Sequence, residues 1–233
     1  MTNIHSENVW ATVVTIETDL VNFSYQQQIS YLHQVDQIFS TYIAESQVSK
    51  VRSGQIDISQ ADPLLQEVWQ HALLAKEITG GAFDPWAVDA GFDPSGYVKG
   101  WAADQICNQL QAAGAKHIQV NAGGDISLRG GSPDGSPWQI GVAHPEKLGH
   151  VSKIYKIKDG AIATSGTYER GDHIIDPETR TIAVGARSAT VVGENAGTQR
   201  PLAFIFSTLA IAAGLIIAIH KPPSEAKDFC GAK

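Results

Sequence analysis

Apolar residues recur along this chain with two periods, and the period changes near its middle. Between residues 24 and 39, Ile29, Leu32, Val35 and Ile38 fall at helical spacing and predict the inner face of a helix. Asp62 followed by Pro63 opens a second helix, carried by Leu65, Val68, Trp69, Ala72 and Leu73 as far as Gly80. Past Gly100, the residues Ala102, Ile106, Leu110 and Ala113 mark a third, and Gly114 stands where a helix stops. One strand, over 9–17, precedes these helices. From His117 onward the pattern shortens to strands, over 118–120, 126–129, 138–143, 152–157, 173–175 and 181–192. The Ser/Pro/Gly cluster at 132–137 lies between two of these runs and reads as a hairpin loop. Helices first and strands afterwards argue for an α+β fold with a mixed β-sheet. Neither an internal repeat nor a Ser/Pro/Gly-rich linker divides the chain, so a single domain is expected over 9–220, followed by a tail over 221–233.

Composition narrows the partners. A chain of 233 residues is long enough to bury a substantial core. With 24 acidic and 17 basic residues the formal charge is -7, and the absence of any basic run argues against nucleic acid. The two cysteines, Cys107 and Cys230, have no metal-ligand spacing and provide no disulfide framework. The opening residues, MTNIHSENVWATVV, carry no basic region, no long apolar core and no cysteine for lipid attachment. A cytoplasmic location is therefore expected, with an exported or membrane-anchored form as the alternative.

Candidate chemistry concentrates in TGGAFDPWAVDAGFDPSGYVKGWAAD, residues 79–104. Gly80, Gly81, Gly91 and Gly96 admit positive φ, while Pro85 and Pro94 fix φ and interrupt helices, so a ligand can approach the main chain closely. Lys99 and Gly100 are placed at the N-terminus of the third helix, where unpaired N–H groups and the dipole favour phosphate. A glycine-rich turn that only closes the chain is the plainer alternative. After the helix, Asn121, Ala122, Gly123, Gly124 and Asp125 join two strands, and such a cluster also makes a hairpin turn with no ligand. Further on, hydroxyls at Thr164, Ser165 and Thr167 precede His173 and an Asp176-Pro177 turn. Short hydroxyl side chains suit phosphate and ribose, and a histidine at a strand edge is either structural or catalytic.

Five segments taken together resemble one family. FSTYIAESQVSKV at 39–51, TGGAFDP at 79–85, DPSGYVKGWAAD at 93–104, VNAGGDI at 120–126, and ATSGTYER followed by HIIDPET are similar, in order, to the ApbE family. These are the FAD:protein FMN transferases, once described as thiamine-biosynthesis lipoproteins, and the resemblance runs from about Val13 to Val192. It implies a magnesium-dependent flavin transferase with its flavin site between two packed subdomains. Such an enzyme binds FAD, cuts the pyrophosphate and joins FMN by a phosphoester bond to a threonine of an acceptor flavoprotein, releasing AMP. That chemistry asks a protein to hold the pyrophosphate, neutralise developing charge and position the attacking hydroxyl. Lys99 offers the positive charge. The resemblance makes His173, in H-x-x-D-P, the catalytic base, and a neutral imidazole suits that task near pH 7. It also implies an FAD pocket built from Gly80, Gly81, Phe83, Asp93, Gly96, Lys99, Gly100, Asp104, Asn121, Gly123, Gly124, Asp125, Thr164, Ser165, Gly166, Thr167, His173 and Asp176. Glu45, Ser46 and Ser49 match a loop near the flavin.

Past Thr190 the resemblance weakens. The family continues into a helix opening D-A-L-A-T, whose Asp and Thr look like magnesium ligands, whereas this chain reads RPLAF with Arg200 and Phe204 in those positions. Magnesium demands oxygen ligands, and neither side chain supplies one. Either the metal is held elsewhere, or the Arg200 guanidinium takes the cation's place against phosphate, or the protein binds FAD with impaired or no transfer. Hydrolysis of FAD by water is a further alternative, since the same pyrophosphate geometry serves either nucleophile. The uncharged run from Leu202 to Ile219 has the length of a membrane span. The family places a buried helix and a second element here, and Gly214 divides the run where that break would fall, so burial is the favoured reading.

Overall fold

The first expected strand is two. A computed structural model describes residues 2–144, 147, 149–166, 176–177, 179–182 and 188–194. In it β1 (Asn3–Val9) and β2 (Thr12–Thr18) pair antiparallel across Trp10 and Ala11, which both sit at positive φ, 58° and 54°. Two left-handed central residues match the twist of a hairpin, but such turns are normally written with Asn or Gly, so Trp-Ala carries no turn signal.

Three helices follow local rules. α1 (Gln26–Phe39) buries Leu32, Val35 and Ile38 at the expected spacing and adds Gln28 and Phe39. Beyond it lies the short α2 (Gln47–Arg52), absent from the pattern reading because one and a half turns leave little periodicity. α3 (Pro63–Ile78) starts as its sequence predicts, with the Asp62 carboxylate accepting the Leu64 N–H at 2.8 Å and Pro63 in first position. α4 (Ser95–Ala112) starts earlier than expected. Asp93 accepts the Ser95 N–H at 2.9 Å, so Gly96 is helical rather than left-handed, and Lys99 and Gly100 lie in the second turn instead of at the N-terminus. Asp-Pro is a stronger start signal than one glycine is a break.

β3 (Ile118–Ala122) and β4 (Asp125–Arg129) form a tight hairpin on Gly123 and Gly124, and both strands run longer than their apolar residues alone indicate. β5 (Trp138–Ala143) and β6 (Val151–Ile157) make a separate two-stranded sheet. The 132–137 loop thus carries the chain from one sheet to the other and does not close a hairpin. β7 (Gly160–Gly166) and β8 (Ser188–Glu194) complete a six-stranded sheet of order β1-β2-β3-β4-β7-β8. The α+β class holds, but every ladder among the described strands is antiparallel, where a mixed sheet was expected. β7 is missing from the pattern reading because Ala-Ile-Ala-Thr-Ser is poor in strand formers, and Ile162 and Ala163 gain their burial from neighbouring strands. The expected strand at 173–175 lies outside the described residues.

Three layers position the site. On one face of β3 and β4, Ile106 and Leu110 of α4 pack on Ile118 and Val120. On the other, Trp138, Ile140, Tyr155 and Ile157 of the small sheet cover Ile126, Leu128 and Ile162. β4 is consequently buried on both faces, and its α4 side carries polar residues, Ser127 and Arg129. Trp101, Leu65, Val68 and Phe83 join α3, α4 and the loop between them in a further cluster. Leu32, Leu65, Ile106 and Leu110 are wholly inaccessible, and each such side chain stabilises the fold by roughly 1.5–3 kcal/mol relative to exposure. Among the described residues no helix is long and apolar enough to cross a membrane. The 202–219 run lies outside them.

Candidate functional site

A cavity of about 770 Å³ opens where the end of α1, the α3–α4 loop, the start of α4, the β3–β4 turn and β7 converge. Its size suits a ligand of several rings. Trp10 and Ala11 of the first hairpin, Val35, Asp36 and Phe39 of α1 and the segment from Ser40 to Ile43 build one part of its lining. Tyr42 is 98% exposed there, an aromatic face presented to solvent at the cavity. Nothing in the sequence sets Tyr42 apart from the neighbouring Glu45 and Ser46, because exposure within a short loop leaves no mark on composition.

The α3–α4 loop supplies Ala82 to Pro85, Ala87 and Val88, and is held at both ends. Gly80 and Gly81, at φ 61° and 87°, terminate α3 through N–H bonds to Glu77 O (3.1 Å) and Lys76 O (2.9 Å). Thr79 Oγ1 then accepts the Phe83 N–H at 3.1 Å, and Asp93 N donates to Pro85 O at 2.7 Å. Beneath the loop, Trp69, Trp86 and Phe92 pack with ring centroids 4.5 to 5.0 Å apart. Lys76 Nζ lies 2.7 Å from Asp84 Oδ2.

The polar side of the cavity gathers Ser95, Gly96 and Lys99 from α4, Gly123 and Asp125 from the hairpin, and Thr164 and Ser165 from β7. Lys99 Nζ stands 4.0 Å from Asp125 Oδ2. Thr164 Oγ1 shares a hydrogen bond of 2.9 Å with Thr190 Oγ1 of β8. The turn that delivers Asp125 requires glycine: Gly123 has φ 65°, and a Cβ there would meet Thr12 Oγ1 at 2.7 Å. Asn121 Oδ1 accepts the Gly124 N–H at 2.9 Å and locks that turn.

Of the residues expected to bind a cofactor, Phe83, Asp93, Gly96, Lys99, Gly123, Asp125, Thr164 and Ser165 line this one cavity. Others support it from outside. Ser46 caps α2, accepting the Ser49 N–H at 3.1 Å, and Glu45 is an exposed side chain paired with Lys50 at 3.0 Å. Gly80 and Gly81 end α3, Gly100 is buried within α4, and Asn121 and Gly124 shape the hairpin. Gly166 closes β7 opposite Ser188, and Asp176 anchors a turn by accepting the Arg180 N–H at 2.8 Å, beside the cavity-lining Pro177. Asp104 is not in the lining: it ion-pairs with Arg129 between α4 and β4. Thr167, His173, Arg200 and Phe204 lie outside the described residues.

Cys107 sits beside that ion pair, its Sγ 3.7 Å from Ser127 O, and burial pushes its thiol up to about 12. At pH 8 the thiolate fraction is on the order of one in ten thousand. Peptide mapping after iodoacetamide treatment of the folded protein is expected to find Cys107 unmodified, and rapid labelling there would show that the α4–β4 interface opens.

Comparison with known proteins fits this geometry. The sequence pattern of the ApbE family matches residues 9–90 and 86–224, so the two matched pieces meet in the α3–α4 loop. The FAD:protein FMN transferase of Vibrio cholerae serotype O1 is 35% identical over 136 residues, covering 54% of this chain and 41% of that protein. The FAD:protein FMN transferase of Salmonella typhimurium is 30% identical over 158 residues, covering 61% of this chain and 43% of its own length. The aligned stretches thus span about two-fifths of these relatives. In three dimensions the chain superposes on the flavin transferase ApbE from Vibrio cholerae with a TM-score of 0.76 at 22% identity, covering 91% of this chain and 87% of that one. The ApbE protein from Thermotoga maritima gives 0.78 at 23% identity, covering 92% and 88%. The family pattern takes in nearly the whole chain and the fold agrees with it: this protein belongs to the ApbE family.

Proposed function

We propose that the cavity binds FAD and that the protein transfers FMN from it to a threonine hydroxyl of an acceptor protein through a phosphoester bond, releasing AMP. The observation that carries this reading is the meeting, in one cavity, of Lys99, the hydroxyls of Ser95, Thr164 and Ser165, and the exposed ring of Tyr42. Relatives named FAD:protein FMN transferases support it. Lys99 and the hydroxyls hold the pyrophosphate, and Tyr42 offers an aromatic face to the isoalloxazine. The threonine oxygen bonds to the FMN phosphorus as the bridging P–O bond to AMP breaks, and His173 accepts the threonine proton. His173 takes that role from sequence resemblance alone.

Magnesium is implied by the resemblance. Among the described residues no group of three or more His, Cys, Asp or Glu is placed to hold a metal ion, and Asp125 already faces Lys99. The side chains of Arg200 and Phe204 carry no oxygen donor. Neither the described residues nor these two side chains form a ready-made carboxylate cage for magnesium, and the transfer is written without a metal.

Flavin fluorescence titration is expected to show saturable binding in which FAD wins over riboflavin; equal affinities would remove the phosphate assignment. Lys99→Ala should weaken FAD roughly ten-fold, with a smaller loss at high salt because the attraction is electrostatic. Incubation with FAD and magnesium, with and without an acceptor peptide and with and without chelator, should yield AMP and covalent flavin fluorescence only when the peptide is present. AMP without peptide would mark a pyrophosphatase instead.

A further inference from the structure

Among the described residues four aspartates line the cavity, an awkward composition for a site that takes a pyrophosphate. Three of them face a cation: Asp84 has Lys76 at 2.7 Å, Asp93 has Arg52 at 3.1 Å, and Asp125 has Lys99 at 4.0 Å. Arg52 differs from Lys99 in standing behind the lining and not in it. It is the last residue of α2, and its side chain is only 13% exposed. Its Nε donates to Phe92 O at 2.6 Å, which ties α2 to the α3–α4 loop. Its Nη2 meets Asp93 Oδ2 without the angle of a hydrogen bond, so that contact acts through charge. The other Asp93 oxygen accepts the Ser95 N–H and starts α4.

We infer that Arg52 is a positioning residue that sets how well the cavity accepts an anion, by cancelling the charge of Asp93 and fixing the start of α4 without touching the ligand. This rests on the FAD reading above. A planar guanidinium can serve the Phe92 carbonyl and the carboxylate at once, which a lysine ammonium on a flexible stem does less well. With Arg52 neutralised, Asp93 is left as an uncompensated carboxylate two residues from Ser95. At an effective dielectric of about 20, a unit charge within roughly 10 Å of a bound phosphate weakens binding by on the order of ten-fold or more.

The experiment measures FAD and riboflavin affinities for the wild type, Arg52→Gln, Asp93→Asn and the double variant, with melting curves for each. Arg52→Gln is expected to lose roughly ten-fold in FAD affinity, less at about 0.5 M salt, with riboflavin changed by less than about two-fold. Adding Asp93→Asn should bring FAD affinity back to within about three-fold of the wild type, although the bond to Phe92 is still missing. Equal weakening of both ligands, or a double variant as weak as Arg52→Gln, overturns the inference and leaves a structural brace. Should Arg52→Gln fail to fold, Asp93→Asn alone decides: the substituted amide still accepts the Ser95 N–H, so FAD should bind at least as tightly as to the wild type, and weaker binding overturns the inference. A wild type that does not prefer FAD removes the flavin reading and this inference with it. A wild type that does, with Arg52→Gln unaffected, removes the inference alone.

Discussion

Replacing His173 by Ala is expected to slow FMN transfer roughly 10²- to 10⁴-fold, the range for a positioned acid–base group, while FAD affinity stays within about two-fold. A threonine hydroxyl is a poor nucleophile until its proton has somewhere to go, and a neutral imidazole accepts that proton near pH 7 without holding it permanently. Binding should survive because the pyrophosphate contacts assigned to Lys99, Thr164 and Ser165 do not involve the imidazole. Single-turnover formation of flavinylated peptide, set beside an FAD titration of the same variant, separates the two quantities. If affinity and melting temperature fall together with the rate, His173 supports the fold and the proton leaves by another route.

The largest stability effect is expected at Asp104. Its carboxylate pairs with Arg129, whose residue exposure is 5% and whose Nη1 also donates to Leu128 O at 3.0 Å. Asp104→Ala would strand a guanidinium between α4 and β4, and breaking a buried pair from one side costs about 3–5 kcal/mol. The carboxylate is itself 19% exposed, so the lower end of that range applies. Urea unfolding should therefore show Asp104→Ala losing about 3 kcal/mol. The paired change Asp104→Leu with Arg129→Met should recover most of it, since apolar groups of similar volume replace a buried ion pair at little cost. FAD affinity equal to the wild type in that double variant would place Asp104 in the core and not in the ligand site. A loss below about 1 kcal/mol for Asp104→Ala would mean that water reaches Arg129.

Much of this architecture was legible locally. Leu32, Val35 and Ile38 announced the buried face of α1, and Asp62-Pro63 announced the start of α3, because periodicity and capping involve residues a few positions apart. Gly123 and Gly124 likewise marked a hairpin, since few other residues take both of its left-handed positions. The five family segments needed no coordinates either. Trp10-Ala11 shows the limit: nothing local asks those residues for positive φ, and the pairing of Asn3–Val9 with Thr12–Thr18 imposes it.

The Lys99-Gly100-x-x-x-Asp104 step shows the same division within one motif. Read as a string it offers one basic and one acidic residue to a single ligand. On α4, however, five residues at about 100° each turn Asp104 roughly 140° away from Lys99. Lys99 meets Asp125 at the cavity, while Asp104 turns to Arg129 in the core. The sequence by itself determined the residue types, the three long helices, the β3–β4 turn and the family. Only the tertiary structure decided which charged groups meet, because Lys99 and Asp125, Arg52 and Asp93, and Asp104 and Arg129 are joined by packing of elements distant in the chain, and local propensity holds no information about such pairs.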